Sequence, residues 1–283
     1  MWCPNKNEGL TIASLNTVFR RELIENEIFS GECHDFWEML YVEEGSLNVA
    51  EDEQIFKMSK GQIIFHKPME FHRFWLDEGM KAKIIVISFS LNGNQVDGLG
   101  NGVFNLSLDM VQTLFDIVED FSKILDCSDY GIIPSVIEDS LHIQKISAKF
   151  LCFLIDNIKK AANSTYKLQS TAISNYKRII RVLKDNIYEK LTVEDIAKLS
   201  LLGVSNLKKT FSAYAGCGVM SYFNSLKIIK ATELLKESEL SVAAISEKLG
   251  FTSPNYFSVV FKKGTGLLPL QYRKIHSTDI AEE

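Results

Sequence analysis

The stretches TVEDIAKLS at residues 192–200 and SVAAISEKLG at residues 241–250 decide the fold of the C-terminal part of this chain. Both open on Thr or Ser followed by Val, place Ile fifth and Ala or Ser sixth, and close on Leu, the last apolar position differing by one residue. After a brief turn each leads into a second helical pattern with matching anchors, Leu207 and Phe211 in one copy and Phe257 and Phe261 in the other. A short helix, a tight turn and another short helix make a helix-turn-helix unit, whose second helix enters the major groove of DNA. Thr192 with Asp195 reads as a capping box, Ser241 and Ser253 start further helices, and Ile196, Ala197 and Leu199 are expected to face inward. Between the copies, Tyr222, Leu226, Ile229, Ala231, Leu234 and Leu235 predict one helix from about Gly218 to Glu237. Such a helix spans about 30 Å. One turn of duplex DNA is about 34 Å, so the two second helices can read successive major grooves.

Upstream the period changes twice. Ile179, Ile180, Leu183 and Ile187 mark a helix within Ile173–Tyr188, preceded by the small, polar segment AANSTYKLQST at 161–171. Before it lie two amphipathic helices, one carrying Val111, Leu114, Phe115, Val118, Phe121 and Leu125, the other Ile143, Ile146, Phe150, Phe153, Leu154 and Ile158, interrupted by CSDYGIIPS at 127–135. Up to about residue 90 the rhythm is all β, with FWEMLYV, IFKMSKGQIIFHKP and KIIVISFS separated by turn signals. The expected fold is α+β with two domains. An N-terminal β-barrel (about 10–92) with following helices (about 107–162) occupies 1–165, an all-α double helix-turn-helix domain occupies 171–276, and 277–283 is a tail.

Charge divides along the same line. The chain has 283 residues and a net charge of −5. Residues 1–169 carry 15 Lys+Arg against 25 Asp+Glu, whereas residues 170–283 carry 16 against 11. The basic half suits phosphates and the acidic half does not. At 46% hydrophobic the chain can bury a substantial core, which excludes disorder. No apolar run is long enough to span a membrane and the N-terminus lacks a signal-like pattern, so a cytoplasmic protein is expected. Five cysteines without a C-x-x-C pair read as reduced thiols, not as a disulfide framework or zinc finger.

The segment from Leu191 to Lys274 resembles the paired helix-turn-helix domain of AraC/XylS-type bacterial transcription regulators. The resemblance rests on Gly250-Phe251, Tyr256-Phe257, Phe261-Lys262-Lys263, Gly266, Pro269 and Tyr272-Arg273. HDFWEMLYVEEGSLNV (34–49) and GQIIFHKPMEFHRF (61–74) are similar to the cupin-like sensor that many members carry. The resemblance implies a regulator, more often an activator, that binds double-stranded DNA at promoter half-sites, answers to a small-molecule effector and works with RNA polymerase. The amphipathic helices after Ser107 must bury their apolar faces against their own barrel or against a second subunit; the resemblance favours the second, and with it a homodimer, and it implies no enzymatic activity.

In the first recognition helix the anchors Val204, Leu207 and Phe211 leave Ser205, Asn206, Lys208, Lys209 and Ser212 outward, residue types that pair with adenine, guanine or phosphate. In the second, Ser253, Pro254, Asn255, Ser258, Lys262 and Lys263 face outward, together with Val259, where the family commonly has a basic residue. The first motif is therefore expected to supply more of the base readout, and Tyr256 and Phe257 are expected in the core. In the barrel, His34, Phe36, Glu38, Phe65, His72 and Arg73 are the candidate effector contacts, with Trp37 and Tyr41 on the opposite, packing face. Glu32, His34, Glu38 and His72 offer a nitrogen and oxygen set for Zn, Mn or Fe. Glu32, however, stands where metal cupins have a histidine, and regulators resembling this one usually hold an effector without metal, so no metal and no cofactor are expected. A metal-dependent cupin enzyme with a DNA-binding tail and a regulator whose barrel only dimerises remain alternatives.

Overall fold

Gly45 decides how the N-terminal half closes. Its φ of +75° lies in the left-handed region, and a Cβ there would sit 2.0 Å from the Lys81 carbonyl oxygen, so glycine alone fits. It lies within a 15-residue strand, and there that strand exchanges one set of partners for another. The computed structural model describes residues 9–25, 29, 31–92, 99, 102–124, 131–132, 140–158 and 171–277. The strands are β1 (Thr11–Leu23), β2 (Trp37–Glu51), β3 (Gln54–Ser59), β4 (Gln62–His66), β5 (His72–Trp75), β6 (Ala82–Asn92), β7 (Phe104–Asn105) and β8 (Gly131–Ile132). They form one antiparallel system in the order β7-β4-β2-β6-β1-β8. The first half of β2 pairs with β4 and β6, and the half beyond Gly45 pairs with β3 and β5. Two registers matter below, Glu38 opposite His66 and Glu51 opposite His72.

The sheet is apolar on both faces, which is why β4 and β6 read as continuous hydrophobic runs. Leu40, Val42, Val49, Phe56, Ile64, Phe74, Ile84 and Val86 fill the inside. Trp37, Met39, Tyr41, Ile63, Phe65, Ile85, Ile87 and Phe89 face outward and are covered by α1 (Leu108–Ser122) and α2 (Ser140–Ile158), through Leu114, Ile117, Phe121, Ile146, Phe150, Phe153 and Leu154. The expectation that these helices bury their apolar faces in a second subunit is thereby corrected: their own sheet takes them.

The C-terminal half is helical: α3 (Thr171–Asp185), α4 (Val193–Leu199), α5 (Val204–Ala215), α6 (Val219–Glu237), α7 (Val242–Lys248), α8 (Pro254–Thr265) and α9 (Pro269–Ser277). The caps form as the sequence implies. Thr192 and Asp195 make the reciprocal capping box, while Ser241 and Ser253 accept from Ala244 N and Tyr256 N. Leu199 departs from expectation at 48% exposure. One helical turn on from the buried Ile196 is Ser200, fully buried, so Leu199 is turned outward and Leu202 packs inward instead. The first helix-turn-helix unit has its core at Ile179, Ile196, Leu207, Phe211 and Tyr222, the second at Ile228, Ile245, Leu249, Phe257, Phe261 and Tyr272. α6 belongs to both, burying residues around much of its circumference. Lys227, on this helix, donates to the carbonyls of Glu189 (2.7 Å) and Leu249 (2.6 Å) and so ties the two units together. The expected domain junction and the tail fall largely outside the described residues.

Candidate functional site

α5 carries one proposed reading face. Ser205, Asn206, Lys208, Lys209 and Ser212 are all exposed, because Leu207 and Phe211 hold the opposite side in the core. Asn206 Oδ1 accepts from Thr210 Oγ1 at 3.1 Å, which fixes the amide along the helix, and Ser212 Oγ donates to the Lys209 carbonyl. On α8, Pro254, Asn255, Val259, Lys262 and Lys263 are exposed. The Ser253 hydroxyl caps the helix and Ser258 Oγ donates to the Pro254 carbonyl, so both have intramolecular roles. Ser258, Val259, Lys262 and Lys263 border a shallow concavity with Leu268. Tyr256 is not in the core: it is 46% exposed, with Asn224 Nδ2 3.4 Å from its hydroxyl, because the inward position of that turn belongs to Phe257.

A polar cluster lies inside the barrel. β2 supplies Glu38, β5 supplies His72, and the segment before β2 supplies Glu32 and His34. Reciprocal backbone hydrogen bonds of 3.0 Å between Glu32 and His72 hold that segment against β5. His72 Nε2 lies 3.3 Å from Glu38 Oε1 and 3.8 Å from Glu32 Oε1, and His34 Nε2 lies 3.7 Å from Glu38 Oε2. Phe36 stacks on the His34 ring at 3.8 Å. Burial alone would raise the Glu38 pKa, but the contacts of His34 and His72 outweigh it and hold the carboxyl well below the usual range. Burial opposes protonation of His72, yet Glu32 and Glu38 raise its pKa to about 10.

Two candidate effector contacts are misplaced by the sequence reading. Phe65 lies on the outer face of β4, stacked on Phe104 against α1 and α2. Its neighbour His66 points inward instead, and its ring stacks on His72 at 4.2 Å. No sequence signal marked it: the register that sets His66 opposite Glu38, on the same face, exists only in the folded sheet. His66 Nδ1 sits 3.3 Å from Glu51 Oε1, and Glu70 completes a second trio. Burial and the adjacent His72 drop the His66 pKa to about 3. Burial lifts Glu51 to about 7, and burial with the Glu51 charge lifts Glu70 to about 8.

Arg73 is the second correction. Neighbouring residues on a strand point to opposite faces, so with His72 inside, Arg73 lies outside. Its Nε donates to the Phe29 carbonyl at 3.0 Å, and its Nη1 donates to the carbonyls of Ala213 (2.7 Å) and Ser212 (3.4 Å) in the last turn of α5. A cation there meets the negative end of the helix dipole. Around it, Asp52 Oδ1 accepts from Tyr222 Oη at 3.1 Å, Lys184 Nζ reaches Asp52 Oδ2 at 3.1 Å, and Phe71 packs edge-on against Tyr222. Ala50, Ile55 and Phe71 of the barrel share the core of the first helix-turn-helix unit.

Two family models match, the AraC-like ligand binding domain over residues 20–99 and a helix-turn-helix domain over 196–275, together more than half of the chain. The chain belongs to the AraC family. It is a DNA-binding transcriptional regulator with an N-terminal ligand-binding domain. Among curated AraC-family relatives, the transcriptional activator RhaR of Mannheimia succiniciproducens is 23% identical over 85% of each chain. The regulatory protein PocR of Salmonella typhimurium is 27% identical over 55% of this chain and half of its own length. Unsaturated fatty acid bound ToxT of Vibrio cholerae aligns along the whole of both chains at 19% identity and a TM-score of 0.39. Among the described residues of this AraC-family chain, no helix is long and apolar enough to cross a membrane.

Proposed function

We propose that this AraC-family protein is a cytoplasmic, homodimeric transcription activator whose hold on promoter half-sites is set by an effector bound inside the barrel, without enzymatic chemistry. The observation that carries the reading is the pairing on β5: His72 belongs to the buried polar cluster, and the next residue, Arg73, grips the last turn of α5. An occupant that reorders His72 shifts Arg73, and with it the seating of the first recognition helix, which is a two-state coupling between two sites. Asn206 and Lys209 on α5 supply base readout, Lys208 and Ser205 add phosphate contacts, and Lys262 and Lys263 position α8 on the backbone. The names of the RhaR relatives support activation, and with it contact with RNA polymerase.

The test is a footprint of the purified protein on DNA upstream of its own gene and its neighbours, at fixed salt. Paired protected sites spaced by whole helical turns are expected. Lys209→Ala should either flatten the salt dependence by up to about one phosphate contact or relax one base position. Unchanged affinity and specificity in that variant would remove α5 from the reading face, and no protection anywhere would remove the function.

A further inference from the structure

We infer that His34, Glu38 and His72, with Glu32 as a fourth donor open to solvent, form a binding site for one divalent transition-metal ion, and that this ion is the effector class. The second half of the inference rests on the effector-controlled reading above; the first does not.

Tautomers come first. His34 Nδ1 lies 2.9 Å from the Phe36 carbonyl oxygen and His72 Nδ1 lies 3.1 Å from that of Glu70. A carbonyl only accepts, so each Nδ1 carries a proton, and Nε2 is the nitrogen that each ring turns toward the Glu38 carboxylate. Both Nε2 atoms are buried and make no hydrogen bond, and both are aimed at the Glu38 carboxylate, one at each oxygen. Two imidazole nitrogens converging on the two oxygens of one buried carboxylate make a donor set for a single cation. A histidine whose second nitrogen is anchored on a carbonyl is also the arrangement that orients a metal ligand.

Spacing and size agree. Tetrahedral bonds of about 2.0–2.1 Å put neighbouring donor atoms about 3.3–3.4 Å apart. The donor contacts here are 3.3, 3.7 and 3.8 Å, and all four candidate donor atoms lie within 4.8 Å of one another. That space suits a single ion, while the apolar interior beyond it is filled by Leu40, Val49, Phe74 and their neighbours. Two imidazoles with one or two carboxylates favour Zn, Mn, Fe, Co or Ni over Ca and Mg, which prefer all-oxygen shells. Glu32, with its side chain 47% exposed, gives the ion a way in. Although Glu32 stands where metal cupins have a histidine, its carboxylate lies 3.8 Å from His72 Nε2, within reach of the same ion.

The experiment uses the full chain, stripped with a chelator and titrated with Co(II) and then Zn(II), followed by ligand-field absorption and metal analysis, with DNA binding measured in parallel. One equivalent per chain is expected, with Co(II) bands of a low-coordinate nitrogen and oxygen site, displacement by Zn(II), and no displacement by millimolar Mg(II) or Ca(II). Glu38→Gln and His34→Gln should lose more than the roughly 10- to 100-fold in metal affinity that follows removal of an outer-shell partner, whereas Glu51→Gln should stay within it. A folded, stripped chain that binds no Co(II), or binds it equally in Glu38→Gln, overturns the site even if the variants fold poorly, since the unaltered chain supplies the first readout. One bound equivalent with unchanged DNA affinity keeps the site and rejects the ion as effector. Absence of DNA binding under every condition would instead overturn the proposed function, with the metal stoichiometry still readable.

Discussion

Gly216 shows how tightly one residue can be constrained by two demands. It ends α5 at φ +69°, and a Cβ there would lie 2.6 Å from Arg73 Nε. Gly266 ends α8 in the same conformation, at φ +76°, with open space around it. The pair is a built-in control. Gly266→Ala should cost only the left-handed penalty, about 1–2 kcal/mol, whereas Gly216→Ala should cost that and the Arg73 contact, at least about 1 kcal/mol more in urea unfolding. In an Arg73→Ala background the excess should vanish, and if it persists Arg73 does not hold α5. Both glycines are legible in the sequence as helix ends. The extra demand on Gly216 is not, because the atom it would strike comes from a strand more than 140 positions earlier.

At the scale of elements, period places the main anchors of each helix correctly and misplaces single residues at the edge of the stripe, Leu199 on α4 and Tyr256 on α8. Capping residues, the spacing of Leu207 with Phe211 and of Phe257 with Phe261, and the inward side of α3 all follow from local rules. Strands were harder. Phe65 and Arg73 were assigned to the barrel interior, but β4 and β5 are buried on both sides or docked on another element, so hydrophobicity carries no parity signal and only the registers with Glu38 and Glu51 reveal it. α1 and α2 are joined through Asp120, which is buried and accepts from Lys123 at 3.0 Å and from Lys149, with Lys145 at 3.7 Å. Hydrogen bonds from Lys149 and Lys123 hold its carboxyl well below the usual range. A depressed folded-state pKa gives stability that is present above the unfolded value, about 3.9, and is lost as pH falls through the folded one. Asp120→Asn should therefore lower stability by about 1 kcal/mol at neutral pH, the lysines being partly in solvent, and the difference should shrink below about pH 4. Thermal melts of both proteins at pH 7 and pH 3 decide this, and a gap that does not narrow in acid removes the bridge as its source.

For the whole molecule, the two helix-turn-helix units are alike in sequence and unlike in circumstance. The first shares a core with the barrel and carries Arg73, Asp52 and Phe71 against it; the second has a core of its own on the far part of α6. Cooperative units follow shared cores. Amide hydrogens of α8 should exchange at least about tenfold faster than those of α5 in the free protein, an opening difference of about 1.4 kcal/mol. Equal protection would mean that α6 and Lys227 bind the two units into one. The same asymmetry makes the first unit the one that the barrel can control.

The sequence by itself determined the helical repeat, the β character of the first ninety residues, the opposite charge of the two halves and, Tyr256 apart, the residues on the outer sides of α5 and α8, because each is set by neighbours a few positions away. It also fixed the chemical types in the barrel cluster. Tertiary structure alone decided that Glu32, His34, Glu38 and His72 meet, that His66 joins them in place of Phe65, that Arg73 leaves the barrel for α5, and that the sheet keeps α1 and α2. Those outcomes depend on strand register and on which buried surface finds which, and both are settled by contacts between segments far apart in the chain.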